Sequence, residues 1–167
     1  MTEPIRVAAI IGNLNRERGG AQQLLYDVLR RLPDDIRPRV HVLFGPASFR
    51  EEFEAAGVPV RLLGARSNTD LRAFRRLVRR LREERPRVVH TNSPISGVWG
   101  RTAARLAGVP RVVSVEHSVH DGYRLLPRLA NALTLPLAHA VVGVSEAVVD
   151  SIAGWERALL PAVTEVR

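Results

Sequence analysis

Five consecutive apolar residues, Val7-Ala8-Ala9-Ile10-Ile11, lead through Gly12-Asn13-Leu14-Asn15 to Gly19-Gly20 and straight into an amphipathic segment, Ala21 to Leu32. An unbroken apolar run predicts a strand covered on both faces, as in a parallel sheet. Two adjacent glycines ahead of a helix leave the backbone bare where free N–H groups and the positive end of the helix dipole point outward. Such a turn suits a phosphate, or a polar ligand that approaches the backbone closely. A tight turn without any ligand uses the same residues, and both readings stand. The spacing matches neither the dinucleotide fingerprint G-x-G-x-x-G nor the P-loop G-x-x-x-x-G-K-[ST], which argues against NAD and ATP.

Apolar runs alternate with helical patterns along the rest of the chain. Val40 to Phe44 predicts a second strand. Ser48-Phe49-Arg50-Glu51 has the form of a capping box, opening a short helix that Gly57 can stop. Val58 to Leu63 predicts a third strand, near an edge because Pro59 has no N–H to donate. After a polar loop from Gly64 to Thr69, a long helix runs from about Asp70 to Arg85, with Leu71, Phe74, Leu77, Val78 and Leu81 on one face. Val88-Val89-His90, Val112 to Val115 and Ala140 to Val144 predict three further strands. Helices lie between them over Gly97 to Ala107, ended by Gly108 and Pro110, and over Arg124 to Ala138, kinked at Pro136. Ser145 caps a last helix. Six strands with intervening helices predict an α/β fold: a single Rossmann-like, doubly wound parallel sheet with helices on both faces. Residues 1–153 form that domain, and residues 154–167 read as an atypical tail.

In an open α/β sheet, ligands bind beyond the carboxyl ends of the strands. Strand one delivers Gly12, Asn13, Gly19 and Gly20 there, and strand four delivers His90-Thr91-Asn92-Ser93-Pro94. Strand five delivers Glu116-His117-Ser118-Val119-His120, and strand six delivers Ser145 and Glu146. Groups that can donate to hydroxyls and phosphates therefore collect on one edge. Plain alternatives stand beside several of them: His90 as a packing histidine, Asn92-Ser93-Pro94 as a turn, Ser145 as a helix cap. Glu116-His117 is harder to read as packing, because a charged pair directly follows an apolar strand. No G-x-S-x-G elbow surrounds a serine, which argues against an α/β-hydrolase. The 5 histidines lack H-E-x-x-H spacing and Cys is 0, so no metal site is expected. The pattern reads as a binding edge with one or two acid–base groups.

Charge narrows the partners. The net charge is +8, and all 25 basic residues are arginine. Anions are the natural partners of such a chain: phosphorylated small molecules, anionic lipid surfaces or nucleic acid. Arg72, Arg75, Arg76, Arg79, Arg80, Arg82 and Arg85 crowd the long helix opposite its apolar side, either as a solvated face or as a contact for an anionic surface. Aromatic residues make up 5%, too few to stack single-stranded nucleic acid readily. No apolar run approaches the ~20 residues that span a bilayer, and Met1-Thr2-Glu3-Pro4 lacks signal-peptide character. A cytoplasmic location is expected.

Several ordered motifs resemble one family. They are Gly19-Gly20-Ala21-Gln22, Pro86-Arg87-Val88-Val89-His90-Thr91-Asn92 with Pro94, and Gly100-Arg101 through Ala107-Gly108-Val109-Pro110. To these are added Val113-Ser114-Val115-Glu116-His117 and Ala140-Val141-Val142-Gly143-Val144-Ser145-Glu146. From about residue 5 to 153 the chain resembles the amino-terminal domain of retaining glycosyltransferases of family four, one half of a GT-B fold. The resemblance implies two Rossmann-like domains facing a cleft, with the acceptor held by the amino-terminal one. It implies a UDP- or GDP-linked nucleotide-sugar donor held by the other, and no metal or further cofactor. Gly19 and Gly20 would let the helix start approach the donor diphosphate or acceptor. His117 would sit over the reacting sugar and help as the leaving diphosphate takes up charge. Asn13, His90, Asn92, Glu116, Ser145 and Glu146 complete the expected binding edge.

The family's donor half, with its paired glutamates, is absent from this sequence. The expectation is therefore an acceptor-side half-enzyme, truncated or split, incompetent for transfer until a donor-domain partner completes it. Its open cleft face favours self-association. Lipid-linked acceptors, common in the family, would bring it into peripheral contact with the inner membrane surface. The competing class is a non-catalytic basic module that binds anionic lipid or nucleic acid.

Overall fold

In the computed structural model, which describes residues 3–92, 94–122, 124–152 and 154–160, all strand pairs are parallel and lie in the order β3-β2-β1-β4-β5-β6. The strands are β1 (Ile5–Ile11), β2 (Ile36–Val42), β3 (Val60–Leu62), β4 (Val88–Thr91), β5 (Arg111–Glu116) and β6 (Ala140–Gly143). The helices are α1 (Gly20–Leu29), α2 (Arg50–Ala55), α3 (Leu71–Glu84), α4 (Pro94–Ala107), α5 (Leu125–Thr134), α6 (Glu146–Ser151) and α7 (Gly154–Arg157). This is the doubly wound Rossmann-like sheet that the alternating pattern predicts.

β1 is central, and its alternation explains its unbroken apolar run. Ala8 and Ile10 turn to one face, where Leu77, Leu81, Trp99 and Ala103 of α3 and α4 cover them. Ala9 and Ile11 turn to the other, under Leu25 and Leu29 of α1 and Phe53 of α2. A strand buried on both sides has no polar face to show. The strand order reverses between β1 and β4, which opens a crevice at their carboxyl ends.

α4 lies unusually close to the sheet because it is small where it touches. A Cβ on Gly100 would sit 2.4 Å from Thr91 Cγ2 of the sheet, and one on Gly97 would sit 2.7 Å from Nη1 of Arg101, which folds back along the same helix. Asp70 starts α3 by accepting from Ala73 N at 3.0 Å, and Gly57 and Gly108 end their helices at φ 77 and 75. β3, with Pro59 before it, is an edge strand as expected.

Four local expectations change. β2 begins at Ile36, earlier than Val40, because β1 pairs with it from Ile36 onward, whereas β3 joins only over Val40–Val42. Its first half has β1 as sole neighbour, an edge-like setting that tolerates Pro38. Ser48 is no capping box: Phe49 is the N-cap of α2 and no side chain caps it. Pro136 does not kink a continuing helix, since α5 stops at Thr134 and Leu135–Leu137 form a 3-10 turn. The arginines of α3 do not form one free stripe either. Arg76 Nη2 donates to Leu63 O at 2.7 Å, Arg82 Nη2 to Leu106 O at 3.0 Å, and Arg79 pairs with Glu83 at 3.7 Å.

Candidate functional site

The glycine loop after β1 is held from several sides. Leu14 is fully buried, and its carbonyl accepts from Phe49 N at 3.1 Å. Ser48 Oγ accepts from Arg16 N at 3.1 Å and donates to Asn15 Oδ1 at 2.6 Å. Gln22 Nε2 donates to Asn13 Oδ1 at 2.9 Å. Freed from capping α2, Ser48 thus pins the loop that presents α1. Gly19 sits at φ 133, a conformation open to glycine alone. Gly20 does not share that requirement, and no side chain caps the start of α1. The first N–H groups of a ten-residue helix are left facing the crevice.

At the end of β5, strand alternation separates two neighbours. Glu116 turns to the face of α4, with Ser114 and Arg101, and is 0% exposed. His117 turns to the opposite face and is half-buried, with its Nε2 enclosed and without a hydrogen-bond partner. His90, on β4, shares that face. Asn92 Nδ2 donates to His90 Nδ1 at 3.1 Å, which leaves the proton of the neutral ring on Nε2. Burial, and then the charge of nearby His117, pull His90 down to about 4. Burial also lowers His117, with Glu116 partly opposing. At neutral pH the crevice therefore offers two uncharged imidazoles, each with one N–H donor.

Behind them runs a buried chain of alternating charge. Arg101 of α4 is 0% exposed and donates to Ser114 Oγ at 2.6 Å, Asn131 Oδ1 at 2.5 Å and Thr134 Oγ1 at 2.8 Å. Its Nη1 lies 3.5 Å from Glu116 Oε1. His120 Nε2 lies 3.7 Å from the other Glu116 oxygen, and its Nδ1 lies 3.0 Å from Glu156 Oε1. Arg128 closes the chain at 3.0 Å from Glu156 Oε2, with its guanidinium over the Trp155 ring. Burial pushes the Glu116 carboxyl up, but the neighbouring His120 and the Arg101 charge outweigh it and hold it below its usual range. Burial pulls His120 down, but its two carboxylate neighbours outweigh that and raise it. Arg101, lowered to about 10 by burial, keeps its charge at pH 7.

The expected edge residues thus divide. Gly19, Gly20, His90 and His117 face the crevice. Ser145 and Glu146 are exposed at its β6 side, where Ser145 accepts from Val148 N as the cap of α6. Asn13 is spent on holding Gln22. Asn92 and Glu116 are buried at 2% and 0%, so a ligand at the edge reaches neither; they orient what lies in front of them. Ser93 falls outside the described residues. Sequence reasoning passed over Arg101 and Glu156 as site-building residues, and it placed His120 on the edge, whereas His120 is buried behind it. One signal for Arg101 was present: Gly97, Arg101 and Ala104 share a helix face, so the arginine sits in a small-residue stripe pressed against the sheet. Among the described residues no three His, Asp or Glu converge as a metal site.

The family profile of Glycosyltransferase Family 4 matches residues 18–158. The chain belongs to that family. An Escherichia coli relative, UDP-Gal:alpha-D-GlcNAc-diphosphoundecaprenol alpha-1,3-galactosyltransferase, is 47% identical over 51 residues, covering 30% of this chain and 12% of its own length. The solved structure of Anabaena Alr3699/HepE in complex with UDP-glucose superposes with a TM-score of 0.77 at 20% identity, covering 97% of this chain and 43% of that one. The lipopolysaccharide outer core galactosyltransferase WaaB, in its apo form, superposes with a TM-score of 0.71 at 14% identity, covering 96% of this chain and 44% of that one. At such identities the structures establish the fold. This family-four chain spans less than half the length of either.

Proposed function

We propose that this family-four domain is the acceptor-side half of a retaining glycosyltransferase that takes its sugar from a UDP- or GDP-linked donor. A donor-binding domain, in the same or a partner chain, is needed for transfer. The observation that carries this reading is the pairing of His90 and His117 on one crevice face, beside the uncapped start of α1, at the point where the strand order reverses. The donor diphosphate or the acceptor would approach the α1 N–H groups closely. As the sugar leaves the diphosphate, negative charge grows on the phosphate oxygen, and a fixed N–H from His117 stabilises it. The name of the Escherichia coli relative supports an acceptor carried on a lipid diphosphate.

The test uses the domain joined to a donor half. His117→Ala should lower turnover ~100-fold or more with the fold intact. Unchanged turnover with a lower melting temperature would return His117 to packing. The 167-residue chain by itself should transfer no sugar from UDP- or GDP-sugars, and robust transfer would end the half-enzyme reading.

A second reading, a peripheral hold on anionic lipid, is favoured by α5. Its inner face is polar: Asn131 and Thr134 bond Arg101, and Arg128 bonds Glu156. Its outer face carries Leu125, Leu126 and Leu133 at 70%, 78% and 72% exposure, together with Leu129. These four fall within an arc of about 100°; Arg128 is the charged residue within α5 and Arg124 immediately precedes it. That is the pattern of a helix lying in a membrane interface. No helix of the described residues is long and apolar enough to cross a membrane.

A further inference from the structure

Where the strands begin, on the edge opposite the crevice, lies a groove of about 980 Å³, the size of a small-molecule site. Strand alternation puts Arg39 of β2 and Arg61 of β3 on the face covered by α3, and Arg80 reaches the same groove from α3 itself. Two of its three acids, Glu83 and Glu84, are already committed, and the carboxylate of the third, Asp34, makes no ion pair among the described residues. Glu84 gives one oxygen to Arg39 at 2.7 Å and the other to His41 at 3.0 Å, and Glu83 pairs with Arg79. Arg37 bonds only the backbone carbonyl of Asp34. Among the described residues no carboxylate lies within ion-pair distance of Arg37, Arg61 or Arg80. Arg80 Nη1 is buried with no hydrogen-bond partner.

A buried guanidinium N–H without an acceptor is costly, and like charges gathered around it add to the cost. An anion in the groove removes both penalties. Pro33, Pro38, Pro59 and Pro86 line it as well and supply no N–H, so guanidinium groups dominate recognition. Arginine forks favour phosphate, often through paired bonds. Three unpaired guanidiniums on three separate elements exceed what one phosphate group can engage, whereas two linked phosphates present acceptors to all of them. We infer that this groove is a diphosphate-binding site, separate from the transfer crevice. Its ligand is either a soluble diphosphate or the headgroup of a lipid diphosphate.

Calorimetric titration of the protein with inorganic pyrophosphate at low salt tests the site without any activity readout. Saturable binding is expected, weakened about tenfold or more by Arg61→Glu and abolished by Arg61→Gln combined with Arg80→Gln. Gly20→Val and His117→Ala, in the crevice, should leave it unchanged. Arg61 is exposed on an edge strand, so its variant keeps the fold, as circular dichroism would verify. Absence of saturable heat overturns the site, as does binding that survives Arg61→Glu but is lost with Gly20→Val. A second arm assigns the source, using neutral vesicles doped with an isoprenyl diphosphate. Retention that pyrophosphate releases and Arg61→Glu abolishes identifies the headgroup; pyrophosphate binding without retention identifies the soluble ligand.

Discussion

Replacing Arg101 with methionine keeps most of the apolar stem and removes the charge at the centre of the buried chain. Ser114, Asn131 and Thr134 lose their donor, and Glu116 stays 0% exposed with its nearest cation gone. Breaking a buried pair from one side costs ~3–5 kcal/mol. For a domain of this size that lowers the melting temperature by about 8–16 °C. Removing both charges, with Arg101→Met and Glu116→Gln together, should restore about 1–2 kcal/mol relative to the sum of the single losses. The pH dependence follows from the direction of the Glu116 shift. Its folded pKa lies below the ordinary carboxyl value of 4.5, so in the wild type it stabilises above that pH and loses this as pH falls through the folded value. In Arg101→Met the lowering shrinks, and the buried carboxylate contributes less stability at neutral pH. The gap between variant and wild type should therefore be widest at neutral pH and narrow in acid. Urea unfolding of the four proteins of the cycle, at neutral and acid pH, measures both. Additive losses with a gap that does not change with pH would refute the idea that Arg101 and Glu116 stabilise the fold as a pair.

Four further outcomes are expected. Gly19→Ala should cost ~1–3 kcal/mol in denaturant unfolding because of its φ of 133, whereas Gly20→Ala should be neutral or slightly stabilising; equal costs would contradict the loop geometry. Proton NMR should find His90 titrating at about 4 against 6.5 for a free histidine. Because the unfolded chain gains that proton first, stability should fall by about 3 kcal/mol as pH drops from 6.5 to 4. His120, raised by its carboxylates, should act in the other direction: its contribution is complete below 6.5 and fades as pH rises through its folded value. Vesicles of anionic but not neutral lipid should retain the protein at low salt. Leu126→Gln with Leu133→Gln should abolish that retention, and retention that survives would move the contact away from α5.

The parallel sheet was legible because burial on both faces leaves the apolar run of β1 no alternative. Helix ends at Asp70, Gly57 and Gly108 were legible for a related reason, since caps depend on local chemistry. The edge of the candidate site could be read too, because strand ends and their order place it. What each edge residue does could not. Alternation alone says that Glu116 and His117 face apart, but not which side is core. That was decided by α4, which Gly97 and Gly100 let down onto β4 and β5, sealing Glu116 against Arg101 and leaving His117 beside His90. Packing of the loop after β1 against the start of α2 turned Ser48 from a helix cap into a pin on the glycine loop. Docking of α7 joined Glu116 to Glu156 through His120, a partnership between residues far apart in the chain. Local sequence carries backbone preference and periodicity; the pairing of buried charges depends on which elements exclude water together, and only the folded packing settles that.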